Sequence, residues 1–360
     1  MRIEVHTDPQ AFADLGAEWQ DLLPRSFSDT LFQQPAWQEA WWRVFGVEGM
    51  LRLIAVRDGS GRLAGVAPLF LGQVAANAAE PLPTLSFERP ISQPGATVHS
   101  ALLFVGGTEV SDYLDMVVDR TQGPAVYQAL WETVLEAIPG WEWIDLHCLP
   151  DGSPTLTMLG NLAKAKGFTV TVGQEDVCPF IALPDSWEAY LSRLGRKERH
   201  ELRRKMRRAE LSGQVELTTV SDEAGLESSL ATFIALHEAS TPDKADFMRD
   251  PRMREFFRLV AHAALANGWL DLSFLAVDGE PAASMFCFRY HDAVLVYNSG
   301  FDPRAWAGLS PGIVLLGLRI QQAIEEGRRE FDFLQGNERY KYDLGAQDRP
   351  VWRLFIRRPA

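Results

Sequence analysis

The chain has 360 residues, of which 46% are hydrophobic and 11% aromatic, and its formal net charge is −13. This length suits two domains of ordinary size or one duplicated unit, and the apolar content excludes a disordered chain. The acidic excess argues against general affinity for nucleic acid, because an acidic body repels phosphates.

Targeting signals, disulfides and metal sites find no support in the sequence. The first residues, MRIEVHTDPQAF, are charged from the second position, and nowhere do eighteen apolar residues run together. We therefore expect a cytoplasmic protein without a membrane span. Cys148, Cys178 and Cys287 stand far apart, and the seven histidines show no ligand spacing. We expect neither a disulfide framework nor a metal.

The first half of the sequence predicts a helix, a hairpin and a strand–helix–strand unit. The helix covers residues 35–45 and precedes LRLIAVRDGSGRLAGVAPLFL, two apolar strands joined by a glycine-containing turn at residues 58–61. DYLDMVVD is followed by a helix over residues 124–138 and by the strand WEWIDLHCL. Residues 151–168 form a helix-bearing connection to the second half.

A basic segment follows this connection. Residues 193–208, RLGRKERHELRRKMRR, contain nine Lys or Arg against two Glu. Leu191, Leu194, Leu202, Met206 and Ala209 recur at helical spacing, which predicts one helix over about residues 187–211 with one apolar side. The basic faces indicate either a solvated surface or a surface that binds anions.

The second half repeats the order of elements found in the first. A helix over residues 251–266 precedes the hairpin LDLSFLAVDGEPAASMFCFRY, which turns at Asp278 and Gly279. The strand DAVLVYNSG, a helix over residues 311–326 and the strand EFDFLQG follow. Both hairpins read A-V, then D-G, then an alanine-rich strand. We therefore predict an internal duplication, with domains at residues 1–172 and 173–360.

The helix over residues 311–326 begins at Ser310-Pro311-Gly312. Ser310 is placed as the N-cap and Pro311 as the first helical residue. The first turn is expected to leave the N–H groups of Gly312 and Ile313 without helical partners, and the helix dipole adds partial positive charge there. The segment is therefore either a simple helix cap or a site for a phosphate or pyrophosphate.

The order of these segments resembles the C-terminal domain of the GNAT superfamily of N-acetyltransferases. LRRKMRRAELSG, FIALHEAS, DGEPAASMFCFRY, GFDPRAWAGLSPGIVLL and FDFLQGNERYKYDLGA are similar to the group named for a cellulose-biosynthesis acetyltransferase (CelD/BcsL-like). That group resembles a duplicated GNAT fold, as do the Fem-type aminoacyl transferases of cell-wall synthesis. The resemblance implies an α/β fold (α+β, mixed sheet) with two GNAT-like domains in tandem, the first degenerate.

The resemblance also implies that the second domain binds acetyl-CoA or another acyl-CoA as co-substrate. In such a domain the thioester lies in a V-shaped opening between two parallel strands, here residues 293–298 and 330–334. The pyrophosphate lies at the N-terminus of the following helix. Ser310, Gly312 and Ile313 would then contact the pyrophosphate, with Asn298 and Ser299 near the pantetheine.

Acyl transfer requires a deprotonated acceptor, donors for the developing oxyanion and an acid for the departing thiolate. Because no Ser-His-Asp or Cys-His motif is visible, we expect direct attack in a ternary complex. Tyr340 is the predicted acid and Tyr342 the second choice; the alternative for Tyr340 is a packed aromatic. Asp332 is expected either to touch the substrate or to pair with a base such as Lys341 or an arginine.

The remaining candidate residues each have a structural alternative. Glu338 and His237 are candidate general bases, and a lone histidine on an apolar helix also serves packing. Lys341 orients an anionic substrate or forms a salt bridge. Arg203 and Arg204 of the basic segment are candidate substrate contacts.

Three functions fit these residues. The first is transfer of an acyl group, expected to be acetyl, from coenzyme A to an amine or hydroxyl of a small-molecule or saccharide-linked acceptor. The second is a Fem-like transferase whose basic helix contacts an aminoacyl-tRNA. The third is a non-catalytic GNAT-like binding module, which fits Asn337 at a position where the family tends to have an acid.

Overall fold

The computed structural model describes residues 1–76, 97–107, 109–212 and 215–359, and the chain divides into two compact units. One unit comprises Met1–Asp176 with Pro350–Ala360, and the other comprises Val177–Arg349. Each unit has a mixed sheet with helices packed on it, which confirms the predicted fold class. No helix in the described ranges combines the length and apolar character that a membrane span requires.

The described strands and helices are numbered in chain order. The strands are β1 (Arg2–His6), β2 (Leu51–Arg57), β3 (Leu63–Ala76), β4 (Thr97–Phe104), β5 (Val117–Val118), β6 (Trp143–Pro150), β7 (Thr169–Ala182), β8 (Val215–Thr219), β9 (Leu270–Val277), β10 (Glu280–Tyr290), β11 (Ala293–Phe301), β12 (Glu330–Asp332) and β13 (Gln347–Arg357). The α-helices are α1 (Gln10–Leu22), α2 (Pro35–Phe45), α3 (Gly123–Glu136), α4 (Pro154–Ala165), α5 (Trp187–Arg193), α6 (Arg196–Ser212), α7 (Leu226–Ser240), α8 (Pro242–Arg249), α9 (Pro251–Ala266), α10 (Pro311–Glu325) and α11 (Arg339–Asp343).

The two units have the same strand topology. In the first unit the order is β1-β2-β3-β4-β6-β13, with β5 beside β3, and in the second it is β8-β9-β10-β11-β12-β7. In each unit a helix lies between two parallel neighbours, with α3 between β4 and β6 and α10 between β11 and β12. The other neighbouring strands within these two orders run antiparallel. The repeated topology is that of a duplicated fold.

The last strand of the first unit comes from the C-terminal end of the chain, and that of the second unit lies at the start of that unit. β7 contributes to the second unit from Val177 onward, and β13 contributes to the first from Pro350 onward. The boundary that we placed after residue 172 therefore falls inside β7. The predicted domains, residues 1–172 and 173–360, stay a prediction.

Most predicted elements are confirmed, with two corrections. The helix predicted over residues 187–211 is wrong, because α5 and α6 are separated at Leu194 and Gly195. Leu194 is extended, with ψ at 148°, and a Cβ at Gly195 would lie only 2.3 Å from the Glu198 carboxylate. The last predicted strand is also shorter than expected, since β12 ends at Asp332.

The hairpin of β9 and β10 turns as its sequence predicts. Asp278 and Gly279 both have positive φ, 52° and 83°. Two left-handed residues in succession match the right-handed twist of the flanking strands, which is why Asp-Gly is preferred there. The turn therefore sets the register in which β9 meets β10, beginning with Val277 opposite Glu280.

The second unit has a different core on each side of its sheet. On one side, α5, α6 and α10 pack on β10 and β11 through aliphatic side chains, among them Leu202, Met206 and Leu315. On the other side, α7 and α9 pack through aromatic rings, with Phe233 and Phe257 both against Phe286 of β10. The two faces of β11 consequently meet different environments.

Buried ion pairs hold β13 in the first unit. Arg353 of β13 donates two hydrogen bonds to the buried carboxylate of Asp145 in β6, at 2.6 and 2.7 Å. The His147 Nε2 atom lies 3.1 Å from the same carboxylate. Burial by itself lowers the pKa of His147, but Asp145 and Glu175 raise it to about 9. The imidazolium therefore contributes to this cluster at neutral pH.

Candidate active site

The parallel strands β11 and β12 pair over a short length only. They pair at three positions, ending with Leu295 opposite Asp332, while β11 continues to Phe301. On its other side β11 has a bulge, because Val296 pairs with Cys287 and Asn298 with Phe286, which leaves Tyr297 as the extra residue. Beyond Leu295, β11 continues to Phe301 without recorded pairing to β12, and we call this region the opening between the two strands.

The loop after β12 is held by Lys341. Leu334 has a φ of 56°, a conformation that side-chain-bearing residues rarely adopt. The buried Lys341 ammonium donates to the carbonyls of Leu334, Gln335 and Gly336 at 3.3, 2.9 and 2.8 Å. It also lies 2.9 Å from the Glu338 carboxylate. Lys341 thus forms a salt bridge, which is one of the two roles predicted for it, and it does not line a described cavity.

A cavity of about 370 Å³ adjoins the opening on the α10 side. Five of the predicted site residues line it: Ser299, Ser310, Gly312, Ile313 and Tyr340. Apolar side chains form much of the remaining wall, including those of Met285, Phe301 and Leu316. An apolar cavity with a few polar groups at one end is typical of small-molecule sites.

The N-terminus of α10 differs in detail from its prediction. Ser310 occupies the N-cap position but is left-handed, with φ and ψ both 55°, and its side chain makes no capping hydrogen bond. The Ile313 N–H donates to the Ser310 carbonyl at 3.0 Å, so our expectation of a free N–H there is wrong. Within the described part of the chain, no acceptor is recorded for the Gly312 N–H.

At Gly312 no side chain covers the backbone on the cavity side. A Cβ added there would lie 3.4 Å from the Phe301 ring, which is ordinary van der Waals contact. Packing inside the protein therefore does not require glycine at this position. A glycine beside an unpartnered N–H at a helix N-terminus allows a ligand to approach the backbone closely.

Tyr340 is the predicted acid that the structure places on the cavity wall. Its ring packs edge-to-face on Phe333, with 6.2 Å between centroids. Burial, and then the charge of Glu338, raises the pKa of the phenol above its ordinary value, so the hydroxyl is protonated at neutral pH. Tyr342, the second choice, instead donates to Asp348 at 2.7 Å.

Asn298 and His237 lie on the opposite side of β11 from the cavity. A Cβ at Gly300 would lie 2.4 Å from the backbone nitrogen of His237, so the Gly300 side of the strand touches α7. Asn298 shares that side because side chains alternate along a strand, whereas Ser299 faces the cavity. Asn298 is accordingly not among the residues that line the cavity.

His237 and Lys244 both bind one backbone carbonyl of β11. The His237 Nδ1–H and the Lys244 ammonium donate to the Ser299 carbonyl, at 3.1 and 2.5 Å. Burial, assisted by the charge of Lys244, lowers the pKa of His237 to about 4, and burial also lowers the pKa of Lys244. His237 is therefore a neutral, buried imidazole at neutral pH. Its hydrogen bond to Ser299 holds α7 against β11. Lys244 was not recognised from the sequence.

Asp332 pairs with an arginine, which is one of the two roles that the sequence allowed. Its buried carboxylate accepts the Leu334 N–H at 2.7 Å and an Arg349 N–H at 3.3 Å. The Arg349 guanidinium also lies over the Phe180 ring, 4.0 Å from its centroid. Asp332 therefore shapes the end of β12, and it does not line the cavity.

Arg203 and Arg204 point away from the cavity. Arg203 pairs with Glu188 at 2.7 Å, and Arg204 donates two hydrogen bonds to Glu201 at 2.8 and 2.6 Å. The residue of α6 that lines the cavity is Lys205. The sequence contained a signal for this, because Lys205 lies three residues after Leu202 and four before Ala209, beside the apolar stripe.

Two further features surround this site. A smaller cavity of about 100 Å³ shares Lys205, Ile313 and Tyr340 with the first. A groove of about 610 Å³ is lined by Arg196, Lys197, Arg199, His200 and Arg203. Among the residues that the structure describes, no group of three or more His, Cys, Asp or Glu side chains is arranged to hold a metal ion.

Comparison with known proteins agrees with this architecture. Residues 196–342 match the family model described as "Acetyltransferase (GNAT) domain". No curated protein matches the chain.

Solved structures are similar over nearly the whole chain. The structure of FemX is 13% identical with a TM-score of 0.62, covering 98% of this chain and 97% of FemX. A protein of unknown function from Bacteroides thetaiotaomicron VPI-5482 is 12% identical with a TM-score of 0.59, covering 99% and 100%. L-PGS from Bacillus licheniformis is 10% identical with a TM-score of 0.54, covering 99% and 94%. At such identities the likeness concerns the fold alone. The chain thus has a FemX-like fold whose second half matches a GNAT acetyltransferase domain.

Proposed function

We propose that the chain is an acyltransferase that moves an acyl group, expected to be acetyl, from coenzyme A to an amine or hydroxyl of a small-molecule or saccharide-linked acceptor. The observation that carries this proposal is the opening between β11 and β12 beside a cavity of about 370 Å³ at the N-terminus of α10. The match of residues 196–342 to an acetyltransferase domain supports it. The narrower likeness to cellulose-biosynthesis acetyltransferases (CelD/BcsL-like) is part of the same proposal.

The chain's own residues support direct attack on the thioester. Gly312 and the dipole of α10 favour the negative charge of the pyrophosphate, while Met285 and Phe301 supply an apolar wall for the pantetheine. Tyr340 carries a proton that the departing thiolate requires. Glu338 remains our candidate for the general base by the sequence resemblance; its carboxylate is 58% exposed and forms a salt bridge with Lys341.

Replacing Gly312 with alanine tests the donor site. The added methyl group is tolerated by Phe301, but it covers the bare backbone, so we expect acetyl-CoA affinity to fall by about tenfold. Isothermal titration calorimetry on the full chain measures this change. Gly308→Ala is the matched control, because a Cβ there has open space around it. If the wild-type chain fails to bind millimolar acetyl-CoA, the proposed function is wrong.

A Fem-like aminoacyl-tRNA-dependent transferase is the second candidate, favoured by the basic groove on α6. Arg196, Lys197 and Arg199 line it and have no recorded acidic partner within the described ranges. Binding of tRNA should then weaken with salt, and neutralising Arg196, Arg199 and Arg203 should reduce the slope of log K against log salt by about 0.7 to 0.9 per lost phosphate contact. Filter binding measures the slope, and binding that is insensitive to both changes excludes this candidate.

A further inference from the structure

Three cavities of the second unit follow one another along α6. The smaller cavity of about 100 Å³ shares Lys205, Ile313 and Tyr340 with the cavity of about 370 Å³. It also shares Lys197 with the groove of about 610 Å³. From Lys197 to Lys205 the helix rises about 12 Å. A molecule in the groove can therefore extend an arm of this length through the smaller cavity to the wall that contains Tyr340.

The two cavities that meet at Tyr340 differ in polarity. The larger one has the apolar side chains of Met285, Phe301 and Leu316 in its wall. Charged side chains of both signs line the smaller one: Lys197, Glu198, Glu201, Lys205, Arg339 and Asp343. Polar groups lose free energy on an apolar wall, so a polar molecule fits the smaller cavity better than the larger one. The smaller cavity is therefore suited to the polar arm of an acceptor.

The groove at the start of α6 is strongly basic. Arg196, Lys197, Arg199, His200 and Arg203 line it, and Arg203 pairs with Glu188. Within the described ranges no ion pair is recorded for Arg196, Lys197 or Arg199, although the chain has a net charge of −13. Arg199 lies three residues after Arg196 and four before Arg203, so like charges repel each other on one side of the helix. An anionic ligand in the groove relieves this repulsion.

We propose that the acceptor is an anionic molecule whose carboxylate or phosphate groups bind Arg196, Lys197 and Arg199 in the groove. A polar arm carries its amine or hydroxyl through the smaller cavity to Tyr340. This inference rests on the proposed function and names the acceptor class for the same site. Arginine binds carboxylate and phosphate through the same paired N–H groups, so both anions belong in the test.

Three peptides with the same amine-bearing arm test this inference: Gly-Gly-Asp, Gly-Gly-phosphoserine amide and the uncharged Gly-Gly-Asn amide. Three extended residues span about 10 Å, close to the distance from the groove to the Tyr340 wall. Calorimetry on the full chain saturated with coenzyme A gives the three dissociation constants. At low salt the anionic peptides are expected to bind about tenfold more tightly than the uncharged one. This preference should decrease as salt is added, because exposed charges are screened.

Arg196→Gln/Arg199→Gln should abolish most of the preference for the anionic peptides, since it removes two charges from the groove while glutamine maintains the helix. Lys164→Gln/Lys166→Gln is the matched control. It removes two charges from exposed lysines at the end of α4, and these lysines line none of the three cavities. The control variant should bind the three peptides as the wild-type chain does.

The possible failures of this inference and of the proposed function are distinguishable. If the wild-type chain binds coenzyme A but prefers neither anionic peptide, or if both double variants lose the preference equally, the inference is wrong and the proposed function stands. Salt-sensitive binding of tRNA without any preference among the peptides overturns the inference too, and it assigns the groove to the second candidate function. Absence of coenzyme A binding refutes the proposed function and the inference together.

Discussion

Tyr340→Phe is expected to lower kcat for acetyl transfer by about 10²-fold or more, the contribution typical of a positioned general acid. The phenol is protonated at neutral pH because burial raises its pKa, so it can supply the proton that the departing thiolate takes up. The dissociation constant of acetyl-CoA should remain unchanged, since phenylalanine keeps the edge-to-face contact with Phe333. Thiol release under saturating acetyl-CoA measures kcat.

Tyr342→Phe provides the control for this substitution. It removes a hydroxyl from the same short helix, but that hydroxyl is bonded to Asp348 and does not line a described cavity. We expect its kcat to match that of the wild-type chain. Full activity in Tyr340→Phe, or equal losses in both variants, would show that Tyr340 is a packing residue and not the acid.

Asp271→Ala is expected to lower the free energy of unfolding by about 3–5 kcal/mol, because it leaves a buried arginine without its partner. The Asp271 carboxylate lies in β9 and is completely buried. It accepts a hydrogen bond from Nη2 of Arg319, which is 1% exposed. It also accepts Arg289 Nε at 3.1 Å and Ser273 Oγ at 2.9 Å. Urea unfolding followed by circular dichroism measures the change in stability.

Two further variants separate the charge effect from simple loss of packing. Asp246→Ala removes an exposed carboxylate of α8 that pairs with Arg249, and such surface pairs are worth about 0–1 kcal/mol. In the double variant Asp271→Leu/Arg319→Met both buried partners are apolar, so part of the stability should return. If the double variant loses as much unfolding free energy as the two single substitutions lose together, this account is contradicted.

Sequence patterns predicted the elements of the second unit because those patterns act over a few residues. Asp278-Gly279 specifies a two-residue hairpin turn, and Pro311 at the first helical position specifies where α10 begins. The break between α5 and α6 also had a local signal in Gly195. The regular spacing of leucines across that glycine nevertheless favoured one continuous helix.

The candidate site was predicted only in part. Ser299, Ser310, Gly312, Ile313 and Tyr340 line one cavity, although the hydrogen bonding at the start of α10 is not the one expected. Asn298 near the pantetheine stays a prediction; its side chain lies on the α7 side of β11, next to the bulge at Tyr297. Such a bulge depends on the pairing of β10 with β11, which composition does not reveal.

Three lysines, Lys205, Lys244 and Lys341, distinguish what the sequence determined from what only the tertiary structure determined. Spacing along the chain was enough to establish a basic helix, a helix that begins beside a glycine, and the order of strands in both halves. Which lysine faces a cavity depended on tertiary contacts. The packing of Leu202 and Met206 on Gly317 sets the orientation of α6. Lys341 is buried because its ammonium donates to three backbone carbonyls of the loop after β12. These contacts join residues far apart in sequence, so their energies enter only when the chain is folded.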